Sequence, residues 1–592
     1  MVPISVNDRI NKVREVMIEK NVDVYIVPTS DYHMSEYVCD FFKCREFLSG
    51  FKGSAGTLVV DKKEAYLFTD GRYFIQAEEE LEGSGIKLMR MGDRDVPSLE
   101  EFIEQITPEQ GRIGFDARVV SCQFGVKMEE ICKQKNAGLT WDVDIAGEVW
   151  EERPIIVFHD IYFLEEKYTG KSTAQKLSEV KAEMKQYGAD AYVLSSLDDQ
   201  AWLFNLRGSD IPCNPVFLAF SIITDEKTVL YTGAKLPKEM EEIGVESKPY
   251  SDIYEDLQKI EGKVLIDKSV SNYMLVKKLE NAELMDRFNI TTTMKAVKNE
   301  TEIANLKKCH LKDGVAVTKF MFWLKNNIGK IPITEMSAAD YLENLRRNEA
   351  GCVDLSFETI SAYGANAAKM HYSADSNSNA TLKAEGMLLV DSGGQYFEGT
   401  TDITRTFILG EVSDEIKKHF TLVAKSMLNL ANAKFLYGCT GLNLDILARG
   451  PLWNIGIDYK CGTGHGVGYM LNVHEGPNGF RWKKVPERND GCILEEGMVT
   501  TDEPGVYIEG SHGIRTENEL VCVKLEENEY GQFMGFETIT YVPIDLDGID
   551  IRWLDESDKK MLNDYHKMVY EKLAPYLTKE EQDWLQKYTK AM

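Results

Sequence analysis

Positive charge is scarce in this chain of 592 residues: 68 Lys and Arg stand against 96 Asp and Glu, a formal net charge of −28. Nucleic acid and anionic membrane surfaces both demand a basic face, so neither is expected as a partner. No run of about 18 apolar residues occurs, which excludes an expected transmembrane helix. The 11 cysteines are odd in number and scattered, with no CxxC pair. That pattern suits neither a disulfide framework nor a structural zinc site, and it fits reduced thiols in the cytoplasm. The N-terminal stretch MVPISVNDRINKVREVMIEKN has no apolar signal core. It reads as an amphipathic helix behind a polar cap at Asn7 or Asp8. Low-complexity tracts are missing too. What remains, 43% hydrophobic and 28% charged, is the composition of a folded protein too long for a single core.

The first half carries a weak internal repeat. NKVREVMIEKNVDVYIV (11–27) reads as an amphipathic helix running into a short strand, and QKLSEVKAEMKQYGADAYVL (175–194) repeats the pattern. Each copy continues into a polar turn, an aromatic segment and further strand-like runs, TLVVDKKEAYLFTD (57–70) and VFLAFSIITDEKTVLY (216–231). Two units of one α/β type are expected. The stretch 151–172 between them is a candidate linker or docking strand. The character changes near 298, where KNETEIANLKKCHLKDGVAVTKFMFWLKNNI (298–328) has apolar residues at helical spacing. From 350 on, strands alternate with glycine-rich turns, then SDEIKKHFTLVAKSMLNLANAKF (413–435) reads as another helix. Divisions near 153 and 298 follow. The closing stretch 558–588 carries Leu, Tyr, Met and Trp at helical spacing, as a core stripe or a subunit interface would.

Five residues in this last part suggest one metal site: Asp391, Asp402, His465, Glu503 and Glu517. GMLLVDSGGQYFEGTTDITRTFILG (386–410) reads as two strands, with Asp391 near the end of one, a glycine pair at the bend, and Asp402 at the start of the return. A pair of loop-capping aspartates would also account for these two taken alone. CGTGHGVGYMLNVHEGPNG (461–479) brings His465 and His474 among glycines that permit close backbone approach. Glu503 sits at a Pro-Gly turn, and Glu517 heads a strand two residues after Arg515, on the same face. Four carboxylates brought together repel unless neutralised, and two divalent cations would balance them. An oxygen-rich set with one imidazole suits Mn²⁺, Co²⁺ or Fe²⁺, with Zn²⁺ also admissible. Such a pair of ions activates water for hydrolysis.

The order D-x10-D-x62-H-x37-E-x13-E, set in VDSG, GTTDITRT, GTGHGVG, NVHEGP, TDEPG and IRTEN, resembles the pita-bread metallopeptidases. Within them it is most similar to the three-domain, cytosolic-type Xaa-Pro aminopeptidases. TDGRYFIQA (69–77), DDQAWLFNLRGSD (198–210) and DLSFETISAYGANAAKMHYSA (354–374) extend the likeness over nearly the whole chain.

The resemblance implies an α/β (α+β) architecture, with two related creatinase-like domains at 1–153 and 154–298 and a pita-bread catalytic domain at 299–592. It implies that Asp391, Asp402, His465, Glu503 and Glu517 hold two metal ions, usually manganese, with Asp402 and Glu517 bridging. His371 and His474 would touch the substrate and stabilise the tetrahedral intermediate, and Glu503 would shuttle a proton. Arg515 matches an arginine supporting a ligand carboxylate. Arg72 matches one that grips the peptide, and Val473 and Tyr507 match the proline pocket. The implied reaction removes the N-terminal residue from Xaa-Pro- peptides by a hydroxide held between the metals, in a homodimer formed through the catalytic domain. One departure is visible: relatives often have His four residues before the metal histidine, where this chain has Cys461. It is expected to be an inert thiol near the proline pocket. Prolidases, which cleave Xaa-Pro dipeptides, generally have one N-terminal domain rather than two. Non-catalytic pita-bread scaffolds usually lose ligands, and here all five are present.

Overall fold

The computed structural model describes residues 4–592 apart from 377 and 486–490. The chain divides into two compact units: Met1–Phe163 with Lys171–Thr291, and Leu164–Gly170 with Thr292–Met592.

The first unit is built twice over. One sheet runs in the order Ile86–Arg90, Ala65–Thr69, Thr57–Asp61, Val24–Pro28, Arg112–Gly114, Gly138–Thr140. The other runs Val245–Lys248, Thr228–Thr232, Ala219–Thr224, Ala191–Leu194, Gly262–Ile266, Ala282–Asp286. In both, the first strand in sequence lies fourth in the sheet, and the pairings run in the same order: parallel, antiparallel, antiparallel, parallel, parallel. The repeated helix-strand pattern of the sequence is therefore a repeated topology. Buried Val24, Tyr25 and Ile26 in one sheet answer to Ala191, Tyr192 and Val193 in the other. The N-terminal helix, Val6–Glu19, is capped by Ser5, whose side chain accepts the Asp8 N–H. The cap is thus earlier than Asn7 or Asp8; Asp8 lies in the first turn, where its charge meets the positive end of the helix dipole. Tyr162–Phe163, in the expected linker, pairs with Leu206–Arg207 as a docking strand.

In the second unit, the helix Glu300–Asn327 begins in a capping box of Asn299 and Glu302 and packs Phe320, Met321 and Leu324 into the core. Residues 164–170 join this unit: Asn299 donates to Thr169 O at 2.9 Å and Tyr168 stacks on Phe397 at 5.6 Å. Two of this unit's sheets bear on the site. Ile360–Tyr363, Met387–Ser392 and Ile403–Ile408 form a three-stranded one. The other holds six strands, ordered Phe435–Leu436, Gly531–Thr538, Asn518–Asn528, Val499–Asp502, Gly464–Gly466 and Glu475–Phe480.

Met387–Ser392 and Ile403–Ile408 pair antiparallel as expected, Asp391 opposite Thr404. The glycine pair does not simply turn the hairpin, however. Between these strands the chain makes a second short pairing, Gly394–Tyr396 with Gly399–Thr400. Gly393 serves close approach instead: a Cβ there would lie 1.9 Å from Thr401 O. The C-terminal stripe proves to be core, with Leu562, Val569, Leu573 and Leu585 buried in the unit's main apolar cluster. Buried Arg405 ties this end to the sheets through Val542 O, Pro543 O and the Tyr565 hydroxyl. Among the described residues no helix is long and apolar enough to cross a membrane.

Candidate metal centre

Sheet register brings the acids together. Asp391 and Asp402 come from the three-stranded sheet and its entry, and Glu517 stands where the six-stranded sheet meets it, its N–H donating to Thr404 O at 3.1 Å. Glu503 follows the strand Val499–Asp502. His465 lies on the neighbouring strand Gly464–Gly466, where a Cβ at Gly464 would stand 1.8 Å from Thr501 O. Only glycine admits that contact, which seats the His465 strand against the one leading to Glu503.

His465 Nε2 stands 3.4 Å from Asp402 Oδ2 and 3.4 Å from Glu503 Oε1. One ligand atom from each of Asp402, His465 and Glu517 falls within 4.8 Å of the others. On the far side of the ring, His465 Nδ1 is 2.8 Å from Gly466 O. A carbonyl oxygen only accepts, so Nδ1 carries the proton and Nε2 turns a lone pair toward the carboxylates. A metal-ligating imidazole is held in this way.

The electrostatics are unfinished. Burial, then Asp391 and Glu503, push the Asp402 carboxyl well above the ordinary aspartate range. Burial, then Asp402, Glu503 and Asp391, do the same to Glu517. Asp391 Oδ1 is buried with no hydrogen-bond partner among the described residues. Arg515 pairs with Asp391 Oδ2, and its other nitrogen donates to the Tyr507 hydroxyl at 2.8 Å. One guanidinium does not offset four acids, and the donor set, all oxygen but for one imidazole nitrogen, fits hard divalent cations.

The remaining candidates are placed differently. The His474 ring lies 4.3 Å from that of His465 at an interplanar angle of 81°. The next residue, Glu475, is buried against Lys298 and, at 3.0 Å, Lys295, which fixes the chain beside His474. Val473 is buried. Burial lifts the Tyr507 hydroxyl above its usual range. The Cys461 thiol is pushed up to about 12, first by burial and then by Glu503, so it stays protonated. His371 is on the segment after the turn Gly364–Ala368. That turn lies against the Arg515 strand, where a Cβ at Gly513 would be 1.8 Å from Ala367 O. Arg72 belongs to the first unit, where Asp70 holds its guanidinium at 2.9 and 2.8 Å. His512, clustered with the others in sequence, is turned to His419 at 3.0 Å and to the Ser511 hydroxyl.

Residues 304–524 match the model of metallopeptidase family M24, and 532–592 match the C-terminal region of peptidase M24. Residues 9–155 and 152–302 match two models of the creatinase/prolidase N-terminal domain. The chain is 37% identical over 620 residues to Xaa-Pro aminopeptidase 1 of Dictyostelium discoideum, covering 100% of this chain and 97% of that one. This chain belongs to the M24 metallopeptidases. It is also 39% identical over 619 residues to the probable Xaa-Pro aminopeptidase P of Pyricularia oryzae, covering 100% of both. Among solved structures, the X-prolyl aminopeptidase of Caenorhabditis elegans, a cytosolic enzyme with a di-nuclear active site, matches with a TM-score of 0.94. The identity there is 32%, over 100% of both chains.

Several residues of the M24 site were not singled out from sequence. Thr404 donates to Glu517 Oε2 at 2.7 Å, and Thr501 to Glu503 Oε1 at 3.2 Å. Glu519 Oε1 accepts the Asp402 N–H at 2.8 Å, and its other oxygen lies 3.1 Å from buried His310. Strand periodicity could have found Glu519, since it shares a face with Glu517 two residues away. His310 gave no such signal, because it lies on a helix far away in sequence.

Proposed function

We infer that this M24 chain is a metal-dependent aminopeptidase that releases the N-terminal residue from peptides with proline in second position. The observation that carries this is the surplus of buried carboxylates around His465 Nε2, in a chain similar over its full length to Xaa-Pro aminopeptidases.

Asp391, Asp402, His465, Glu503 and Glu517 would hold two divalent ions, with manganese the expected metal. When bound, the ions supply an activated water and Lewis-acid polarisation of the scissile carbonyl. The chain's own residues do the rest. Glu503, the more open of the acids with its side chain 21% exposed, moves a proton from the attacking water to the departing proline nitrogen. A proton must be delivered there, because the proline nitrogen would otherwise leave as an anion; with it, the nitrogen leaves as a secondary amine. His474 and His371 donate to the oxygen that gains charge in the tetrahedral intermediate. Arg515 pairs with Asp391 Oδ2 and so aims that carboxylate, Val473 and Tyr507 wall the proline ring, and Arg72 grips the peptide.

A three-domain division at 1–153, 154–298 and 299–592 is supported by the separate family matches. A homodimer through the catalytic domain is supported by the helix Gly441–Trp453, which exposes Leu442, Ile446 and Trp453, the last edge-on to exposed Trp482 at 5.9 Å. Free cysteines throughout support a cytoplasmic location. A peptide panel run with Mn²⁺ and with Zn²⁺ tests the reading. Xaa-Pro-Yaa peptides should be cleaved well, with Xaa-Ala-Yaa and Xaa-Pro dipeptides poor substrates. Equal cleavage of the alanine series would overturn the proline assignment, and cleavage of dipeptides alone would make the enzyme a prolidase.

A further inference from the structure

Glu335 is a wholly buried acid outside the metal centre, 0% exposed, at the first position of the helix Glu335–Arg347. A buried charge persists only where its lone pairs are met. Here four donors meet them. Oε1 accepts from Tyr363 N–H at 2.7 Å and Asn366 Nδ2 at 2.9 Å. Oε2 accepts from the Tyr372 hydroxyl at 2.8 Å and Ala380 N–H at 2.7 Å. The Glu335 N–H returns a bond to Ala380 O at 3.0 Å, and the helix N-terminus adds its own positive end.

These donors share a property. They are the two ends and the interior of one segment, 363–380, and that segment carries His371. Among its described residues the regular structure is the short turn Gly364–Ala368 and the strand end at Tyr363. Backbone pairing therefore does little to set its path, and the carboxylate gathers it. Tyr372, adjacent to His371, is fixed at both of its ends. Its ring packs among Ala362, Ala367 and Leu389, the last being on the strand of Asp391 and on the same face. Its hydroxyl is shared between Glu335 and Ser378 O, 2.6 Å away.

We propose that Glu335 is a positioning residue, whose carboxylate draws segment 363–380 around itself and so sets where His371 stands against the substrate. This rests on the reading above that His371 touches the reacting amide. A glutamine does not replace it, because whichever oxygen its amide nitrogen displaced, that nitrogen's N–H groups would face a backbone N–H, of Tyr363 or of Ala380.

The test uses the full-length, Mn²⁺-loaded enzyme and an Xaa-Pro-Yaa peptide. Glu335→Gln should lower kcat by about 100-fold with KM little changed, the cost of misplacing a reacting group by about 1 Å. Tyr372→Phe should lower it by about tenfold, as one of four bonds is lost. Metal content should match wild type in both. The decisive arm is the cycle with His371→Ala: once His371 is gone, adding Glu335→Gln should cost nothing further. Independently of activity, amide hydrogen exchange in Glu335→Gln should quicken within 363–380 and not across the rest of the unit. Multiplying losses in the cycle, lost metal, or unchanged exchange in 363–380 would each overturn the proposal. Failure of wild type to cleave Xaa-Pro-Yaa, or full activity of His371→Ala, would instead refute the functional reading, and hydrogen exchange would still decide whether the carboxylate holds the segment.

Discussion

Asp313 and Asp402 are both buried aspartates of the catalytic unit, and they are balanced in opposite ways. Asp313 receives Arg346 through two bonds at 2.6 and 3.0 Å, the Tyr396 hydroxyl at 2.8 Å and the Thr401 hydroxyl at 3.0 Å. Despite burial, Arg346 and then the Tyr396 hydroxyl hold its carboxyl below the ordinary aspartate range. Asp402, the residue after Thr401, is surrounded by other acids and pushed the other way. Identical side chains on adjoining structure thus end as a finished ion pair and an unfinished one. The difference teaches where to look for function: a complete buried pair holds the fold, while an incomplete one marks where something else must bind.

Substitutions should separate the two clusters. The largest effect on turnover is expected from Glu503→Gln, which removes the proposed proton carrier: kcat should fall by about 10²–10⁴, read by steady-state kinetics on an Xaa-Pro-Yaa peptide. Turnover near wild type would remove Glu503 from that role. Asp313→Ala should act on the fold instead, costing about 3–5 kcal/mol by leaving Arg346 buried and unpaired, read by denaturant unfolding. Thr404→Val keeps the side chain's shape and removes the bond to Glu517, so it should weaken Mn²⁺ binding by about tenfold, read by calorimetric titration with little change in melting temperature.

The subtlest contrast is in pH. In metal-stripped protein, Asp402 and Glu517 have folded values raised above their ordinary 3.8 and 4.5. Their contribution to stability is full below those ordinary values and is lost as pH rises through the raised ones. Asp313 is depressed, so its contribution is full above 3.8 and is lost as pH falls through its lower folded value. Stripped protein should therefore melt at higher temperature near pH 5 than near pH 8, and Mn²⁺ should raise the melting temperature most at pH 8. An Asp402→Asn, Glu517→Gln double variant should lose the alkaline decline. Its persistence there would assign the decline to other groups.

Much of this was legible in the chain itself. Strand alternation and turn glycines located Asp391, Asp402, Glu503 and Glu517, and the helix-strand repeat foretold the twin sheets of the first unit. What periodicity did not show was the role of Gly393, because a glycine that serves close approach looks the same in sequence as one that turns a hairpin. Nor did it show Glu335, His310 or Asp313 as partners of site segments. Their bonds span dozens of residues or more, and nothing local distinguishes a buried acid that meets four donors from an exposed one on a helix. The apolar stripe of 558–588 was ambiguous for a related reason: helical spacing says which face is apolar and not what covers it. Packing against the unit's own core settled it.

The central claim is that the surplus of acids around His465 is completed by two divalent ions and is catalytic only then. Calorimetric titration of metal-free protein with Mn²⁺, with proton release and Xaa-Pro-Yaa cleavage followed on the same samples, tests it most directly. The account predicts two ions bound per chain, protons released as Asp402 and Glu517 ionise, and no cleavage until metal is added. Full cleavage by metal-free protein, or Mn²⁺ binding that persists undiminished when Asp402 and Glu517 are replaced by their amides, would contradict it.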